Sequence, residues 1–202
     1  MSATNAPFGL RPAYFPTGLE RAQALANGIA SGFAANILKG QPIVYGAAGN
    51  QTSTSTNGTV LPAVATSNTP VTGAFAGVEW TDTTGRRRVS NYWPSGTTGT
   101  NIVAYFYNDL NIVYEIQSDA TMAQTSIGTT YLFSNITNGS TTTGLSAATL
   151  GVSTAVADAA TTGQMRVVDI APYPDNNWGD AYVIVRVQLA NTQFYGVYAS
   201  VV

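Results

Sequence analysis

From about Pro42 onward, apolar and polar residues alternate with the period of two that marks strands packed on one face. The clearest stretch is Asn101–Tyr107, where Ile102, Ala104 and Phe106 alternate with Val103, Tyr105 and Tyr107. Both of its faces are apolar, which predicts a central strand. Across Asn108-Asp109-Leu110 follows Asn111–Gln117, with Ile112, Tyr114 and Ile116 set against Val113, Glu115 and Gln117, the pattern of a half-exposed strand. Gln164–Ile170 and Ala181–Leu189 read as strands joined by the turn-rich segment Pro172–Asp180, and Val183, Val185, Val187 and Leu189 share one apolar face. Shorter strand signals cover Pro42–Tyr45, Val60–Thr66, Thr72–Trp80, Arg86–Trp93, Ile127–Phe133 and Gln193–Val201, with Gly73 and Gly77 suggesting bends or bulges. Leu145–Val156 is ambiguous, because its alanines favour helix and its Thr, Ser and Val residues do not. About ten short strands punctuated by turn signals predict a mainly β protein, a single β-sandwich or β-barrel of jelly-roll type over 36–202, with helix below about 15% of the chain.

Residues 1–35 follow a different pattern. Pro7, Pro12 and Pro16 oppose both helix and central strand, while Phe8, Leu10, Tyr14 and Phe15 are too apolar for a solvated tail. Gly18–Asn27 has a weak helical signal, with Leu19, Ala22, Leu25 and Ala26 on one side. The segment reads as an extended N-terminal arm, lying either on its own domain or on a neighbour. On the second reading Phe8, Leu10, Tyr14 and Phe15 are apolar anchors, Arg11 pairs with an acidic residue of the partner, and deletion of 2–17 leaves the β domain folded but weakens attachment.

Composition narrows the function. Only 9% of the residues are charged, against roughly 25% in an ordinary soluble domain. Hydrophobic residues make up 45% and the net charge is −2, so the chain builds a core yet disperses little charge over its surface. Such a surface suits coverage by partners. The chain has neither Cys nor His, which removes disulfides, thiolate metal sites and the commonest general base. Carboxylates remain: Glu79, Glu115, Asp109 and Asp119 could meet in space, and any two of them would suffice for a glycosidase. Against that, Asp82, Asp109, Asp175 and Asp180 sit in turn sequences and the two glutamates near strand ends, as solvent-facing residues do. The reading is therefore no enzyme, no cofactor and no metal site. Arg86-Arg87-Arg88 holds three of the eight basic residues, too few for a nucleic-acid partner, and reads as a solvated hairpin flank or a subunit contact. The aromatic residues, Tyr173 and Trp178 of the long loop above all, allow a sugar-stacking alternative. The start of the chain lacks a basic region followed by an apolar one, and no run reaches the length of a membrane helix, so synthesis in a cytoplasm and no membrane partner are expected.

Several segments, in order, resemble a group of tailed-bacteriophage head proteins known as cement or decoration proteins. They are Asn5-Ala-Pro-Phe-Gly-Leu-Arg-Pro12, Val113-Tyr-Glu-Ile-Gln-Ser-Asp119, Thr143-Gly-Leu-Ser146, Arg166-Val-Val-Asp-Ile170, Pro174-Asp-Asn176 and the valine-rich strand after Asp180. Gln188-Leu-Ala-Asn-Thr-Gln193 departs from the Asn-Asn-His common at the end of that group. The resemblance implies a non-enzymatic virion protein on the outer face of the capsid. Its partners would be the major capsid protein and itself, as a homotrimer at threefold or quasi-threefold axes clamping neighbouring capsomers. The protein-contact residues on this reading are Phe8, Leu10, Arg11, Tyr14, Phe15, Arg86, Arg87 and Arg88. A carbohydrate-binding or adhesion module on a virion surface is the alternative.

Overall fold

The computed structural model describes residues 4–15, 21–46, 58–63, 69–156 and 163–194. Strands account for 43% of the described residues and helix for 4%, the latter as single 3-10 turns at Gln124–Ser126 and Val152–Thr154. No helix among the described residues is long and apolar enough to cross a membrane.

Two antiparallel sheets carry the fold. The first has five strands in the order β1 (Arg11–Tyr14), β8 (Val113–Gln117), β15 (Ile184–Leu189), β14 (Met165–Ile170) and β9 (Thr130–Tyr131). The second runs β2 (Gln23–Ala26), β7 (Thr100–Tyr107), β5 (Gly73–Thr81), β3 (Pro42–Tyr45) and β4 (Val60–Pro62). Its sixth strand, β6 (Arg87–Ser90), pairs with the far end of β5. Two short ribbons complete the strands, β10 (Phe133–Ser134) with β13 (Thr149–Leu150) and β11 (Gly139–Ser140) with β12 (Leu145–Ser146).

The sheets meet across one core. Tyr114 and Ile116 of β8, Val185 and Val187 of β15 and Val167 of β14 pack with Val44 of β3 and Ala74 of β5. The second sheet is buried on its other face too, where Ile43, Phe75, Val78, Ile102, Ala104 and Phe106 meet Ile29, Ile37 and Trp93 from irregular segments. In β7, which the sequence shows as apolar on both faces, Ile102, Ala104 and Phe106 are buried while Val103, Tyr105 and Tyr107 are half-buried. The bulge expected near Gly77 is present: the register of β5 against β7 shifts between Phe75 and Gly77. That one-residue slip brings Phe75, Val78 and Trp80 onto the same face, which strict alternation would forbid.

Some elements depart from the sequence expectation. Leu145–Val156 is neither one helix nor one strand but two strand fragments and a 3-10 turn. Ile127–Phe133 is strand only from Thr130 and is split between two pairings. The helical signal near Gly18–Asn27 gives way to β2, because four residues are too few to hold a helix and β7 offers an open edge to pair with. The strand Gln193–Val201 lies beyond the described residues after Phe194, as do Val64–Thr66 and Pro16–Glu20.

The largest departure is the arm. A division into an arm over 1–35 and a domain over 36–202 does not fit, because β1 is an edge strand of one sheet and β2 an edge strand of the other. Leu10 is 1% exposed and belongs to the shared core, so it is no anchor for a partner. Its N–H donates to Gly40 O at 2.7 Å, tying the segment before β1 to the turn before β3. Gly9 adopts φ +74°, and a Cβ there would lie 2.4 Å from Gly40 O, so only glycine permits the approach. The surface that Phe8, Leu10 and Phe15 cover is this chain's own.

Two substitutions measure that attachment. Leu10→Ala is expected to cost about 2–5 kcal/mol, and Gly9→Ala upward of about 1 kcal/mol. Deletion of 2–17 is accordingly expected to leave a poorly folded chain. Urea unfolding midpoints for both variants close to that of the parent would show the segment to be a loose covering.

Candidate functional site

Alternation along β8 and β15 aims Tyr114, Ile116, Val185 and Val187 inward and leaves Glu115, Gln117 and Arg186 on the opposite face. Strand register then builds a row across four strands: Arg11 stands opposite Glu115, Glu115 opposite Arg186, and Arg186 opposite Asp169. Charges alternate along it. Such cross-strand pairing of opposite charges favours this register over a slipped one.

Glu115 is the centre of the row and is only 5% exposed, against the solvent-facing position that the sequence suggested. All five residues of β8 are buried, not half-exposed as expected, because the N-terminal segment and three aromatic rings cover the outer face. Arg11 Nη2 lies 2.7 Å from Glu115 Oε2, and the Tyr173 hydroxyl donates to the same oxygen at 2.6 Å. Arg11 Nη2 also donates to the Tyr173 hydroxyl at 2.6 Å, closing a triangle. Burial, and after it the hydrogen bond to Glu115, pushes the Tyr173 phenol up from its ordinary value. Arg186 Nε is 3.7 Å from Glu115 Oε1, an ion pair without a hydrogen bond, and that buried N–H has no hydrogen-bond partner among the described residues. Phe8 stacks on the Arg11 guanidinium at 4.5 Å and Tyr14 on that of Arg186 at 5.4 Å. One turn along the same face, Gln117 clamps the chain start: its Oε1 accepts from Ala6 N–H and its Nε2 donates to Thr4 O, each at 2.9 Å.

A cleft of about 330 Å³ opens beside the triangle, with Phe8, Arg11, Gln117, Tyr173, Pro174 and Ile184 in its lining. Tyr173 is therefore a wall residue, as its loop position suggested. Trp178, the other aromatic of that loop, packs instead against the core.

The arginine run occupies a separate place, on the β5–β6 hairpin of the second sheet. Arg87 pairs with Glu79, whose Oε1 also accepts from the Tyr105 hydroxyl at 2.9 Å. That bond to the carboxylate pushes the Tyr105 phenol up. Arg88 Nε donates to Asp82 Oδ2 at 2.8 Å. Asp82 Oδ1 meanwhile accepts from the hydroxyl of Thr84 and from the N–H groups of Thr84 and Arg86, capping the turn. These donors hold its carboxyl far below the usual carboxylate range, the Thr84 hydroxyl contributing most. Two of the three arginines are thus neutralised within the hairpin itself. Val89, beside them on β6, is 77% exposed.

The predicted contact residues therefore fall into three groups. Phe8, Arg11 and Tyr14 come together around Glu115; Leu10 is core and Phe15 leans on that core against Tyr107; Arg86, Arg87 and Arg88 lie on the other sheet. Sequence reasoning missed Arg186 and Gln117 altogether. The available signal was a Glu and a Gln inside the otherwise apolar Val113–Gln117, since polar side chains in such a strand must find buried partners. Glu79 and Glu115 do not form a dyad: each sits in a different sheet and holds its own arginine. No group of three or more acidic side chains among the described residues could hold a metal ion. The arrangement is built to hold shape and present a recess.

Replacing Glu115 by Gln leaves two guanidiniums without their carboxylate and is expected to cost about 3 kcal/mol, while Tyr173→Phe costs about 1 kcal/mol. Equal, negligible costs by urea unfolding would mean that the triangle is ornamental. For Asp82 the folded state binds its proton less readily than the unfolded chain. Its contribution to stability is therefore complete above about pH 4 and is lost only as the pH falls through the lower folded value. In an NMR titration its carboxyl should stay ionised where an ordinary aspartate protonates; a midpoint near 4 would contradict the cap. Comparison of the chain with protein-family models, with curated proteins and with solved structures yields no match, so the site is read from its own chemistry.

Proposed function

We propose that the chain is a non-enzymatic bacteriophage capsid cement or decoration protein, binding the outer surface of the shell and strengthening contacts between capsomers. The observation that carries this reading is how little charge the surface leaves uncommitted. With eight basic and ten acidic residues in 202, four of the basic ones, Arg11, Arg87, Arg88 and Arg186, are already paired with carboxylates of the same chain. A freely diffusing domain stays dispersed through mixed surface charge; one that lives against neighbours does not need it. The resemblance of several short segments, in order, to phage head proteins supports the same role.

On this reading the contact surface centres on β6. Among the described residues β6 is bonded on one side only, to β5, and it presents the exposed Val89 on the arginine-bearing hairpin. An open edge with an exposed apolar side chain suits addition to a neighbouring protein surface, and the flanking arginines limit indiscriminate pairing. The partners are the major capsid protein and two further copies of this chain, since a threefold position is filled by repeating one contact three times. Val183, Val185 and Val187 take no part, because they are buried in the core.

The test uses expanded shells of the encoding phage, with and without the purified chain. The chain should bind saturably and raise the temperature at which the shells come apart. Val89→Asp should weaken binding about tenfold, because burying a valine contributes about 1.5 kcal/mol or more. Its circular dichroism should match the parent. Absence of saturable binding, or a dimer on the shell in place of a trimer, would overturn the proposal.

A further inference from the structure

We propose that a separate, polar recess, lined by Asn5, Asp119, Asn135, Asn138, Thr149 and Tyr182, receives a lysine side chain of the capsid protein. At about 420 Å³ it has room for one long side chain rather than for a folded element. The assignment rests on the proposed role for the identity of the partner only. The preference for an ammonium follows from the recess itself.

Asp119 supplies the charge. It is half-buried just beyond β8, and its Oδ1 accepts from Val152 N–H at 2.8 Å. Glu79, Asp82 and Glu115 each hold an arginine, whereas Asp119 makes no ion pair among the described residues. No basic side chain is among the described residues that border the recess. A carboxylate drawn partly out of water without a cation is destabilised, and an arriving ammonium relieves that cost. Asn5, Asn138 and Tyr182 add side-chain oxygens that accept no hydrogen bond among the described residues.

The arrangement separates lysine from its rivals. With Oδ1 bonded to Val152, Asp119 has only Oδ2 unshared, a poor match for the two-pronged grip of an arginine. An ammonium carries three donors and no acceptor, so single oxygens spread around it satisfy it. Calcium takes about six to eight oxygens, several of them from carboxylates, and Asp119 is the one carboxylate in this lining. The chain's single lysine, Lys39, lines a different recess beside Phe8, so the ammonium comes from another molecule. The walls are set before it arrives. Asn135 donates through Nδ2 to Thr149 Oγ1 at 3.1 Å, and Ala147 N–H donates to Asn138 O at 2.8 Å. Opposite, the Gln117 amide fixes the backbone at Thr4 and Ala6, on either side of Asn5. Ordering on binding therefore costs little.

The experiment is an NMR titration of the full chain with Nα-acetyl-lysine methylamide, with its arginine and norleucine counterparts and calcium chloride as separate arms. The lysine compound should bind saturably with a millimolar dissociation constant, shifting signals of Asn5, Asp119, Asn138 and Tyr182. Asp119→Asn should weaken it about tenfold and Tyr182→Phe about threefold. Asp119→Asn keeps the oxygen that receives Val152 N–H, so its urea midpoint should match the parent's, and it should also weaken attachment to shells. No saturable shift with the lysine compound would overturn the assignment. So would equal binding of norleucine, tighter binding of arginine or calcium at the same signals, or lysine binding that survives both substitutions. Shells that hold Asp119→Asn as tightly as the parent would overturn the capsid protein as the source of the lysine. Loss of all shell binding by the parent, with the lysine titration intact, would count against the role on the capsid and not against the ammonium site.

Discussion

A carboxylate shut away from water must be paired or it destabilises everything around it, and in this protein that carboxylate is Glu115. Its desolvation is offset only when Arg11 of β1, Arg186 of β15 and Tyr173 of the 172–180 loop are all in place. Three elements distant in sequence are thereby made conditional on one another. The edge strand β1 cannot leave without stranding Glu115, and the loop cannot swing out without releasing the Arg11–Tyr173 side of the triangle. The same constraint explains why the N-terminal segment lies flat on the sheet. Leu10 enters the core on one side of it while Phe8 covers Arg11 on the other.

The molecule consequently has two unlike surfaces. Around Glu115 the side chains are consumed in internal bonds, and what remains open is a small, stiff recess. On the second sheet the β5–β6 hairpin is equally well bonded at its turn, through Asp82, but its strand edge and Val89 stay available. Rigid internal pairing at both places has one chemical effect: arginines that look in the sequence like a basic patch contribute little net field. What these places expose is apolar and hydroxyl-bearing surface, which suits close packing better than long-range attraction.

The strands were legible because two-residue alternation follows directly from the pleat. Asn101–Tyr107, with both faces apolar, had to be central, and it lies between β2 and β5. Gly77 marked the bulge, since a residue without a side chain weakens a strand unless the strand bends there. The candidate site was only half legible. Phe8, Arg11, Tyr14 and Tyr173 were singled out as residue types suited to contacts, yet nothing local says that Arg11 meets Glu115 across 104 positions of chain. Arg186 looked like a strand residue of no consequence for the same reason.

What the sequence by itself determined was the class of the protein: an antiparallel β fold with two apolar strand faces, no histidine or thiol chemistry, and a charge-poor surface. These are properties of composition and of local period, and no partner is needed to express them. Only the tertiary structure decided where the N-terminal segment goes and what the charges do. Whether a proline-rich apolar stretch lies on its own sheet or on another protein depends on which surface is exposed within its reach. Whether an arginine is a contact or a structural pin depends on which carboxylate the register sets opposite it. Both answers are properties of strand order, which joins residues far apart in the chain and leaves no mark on either of them alone.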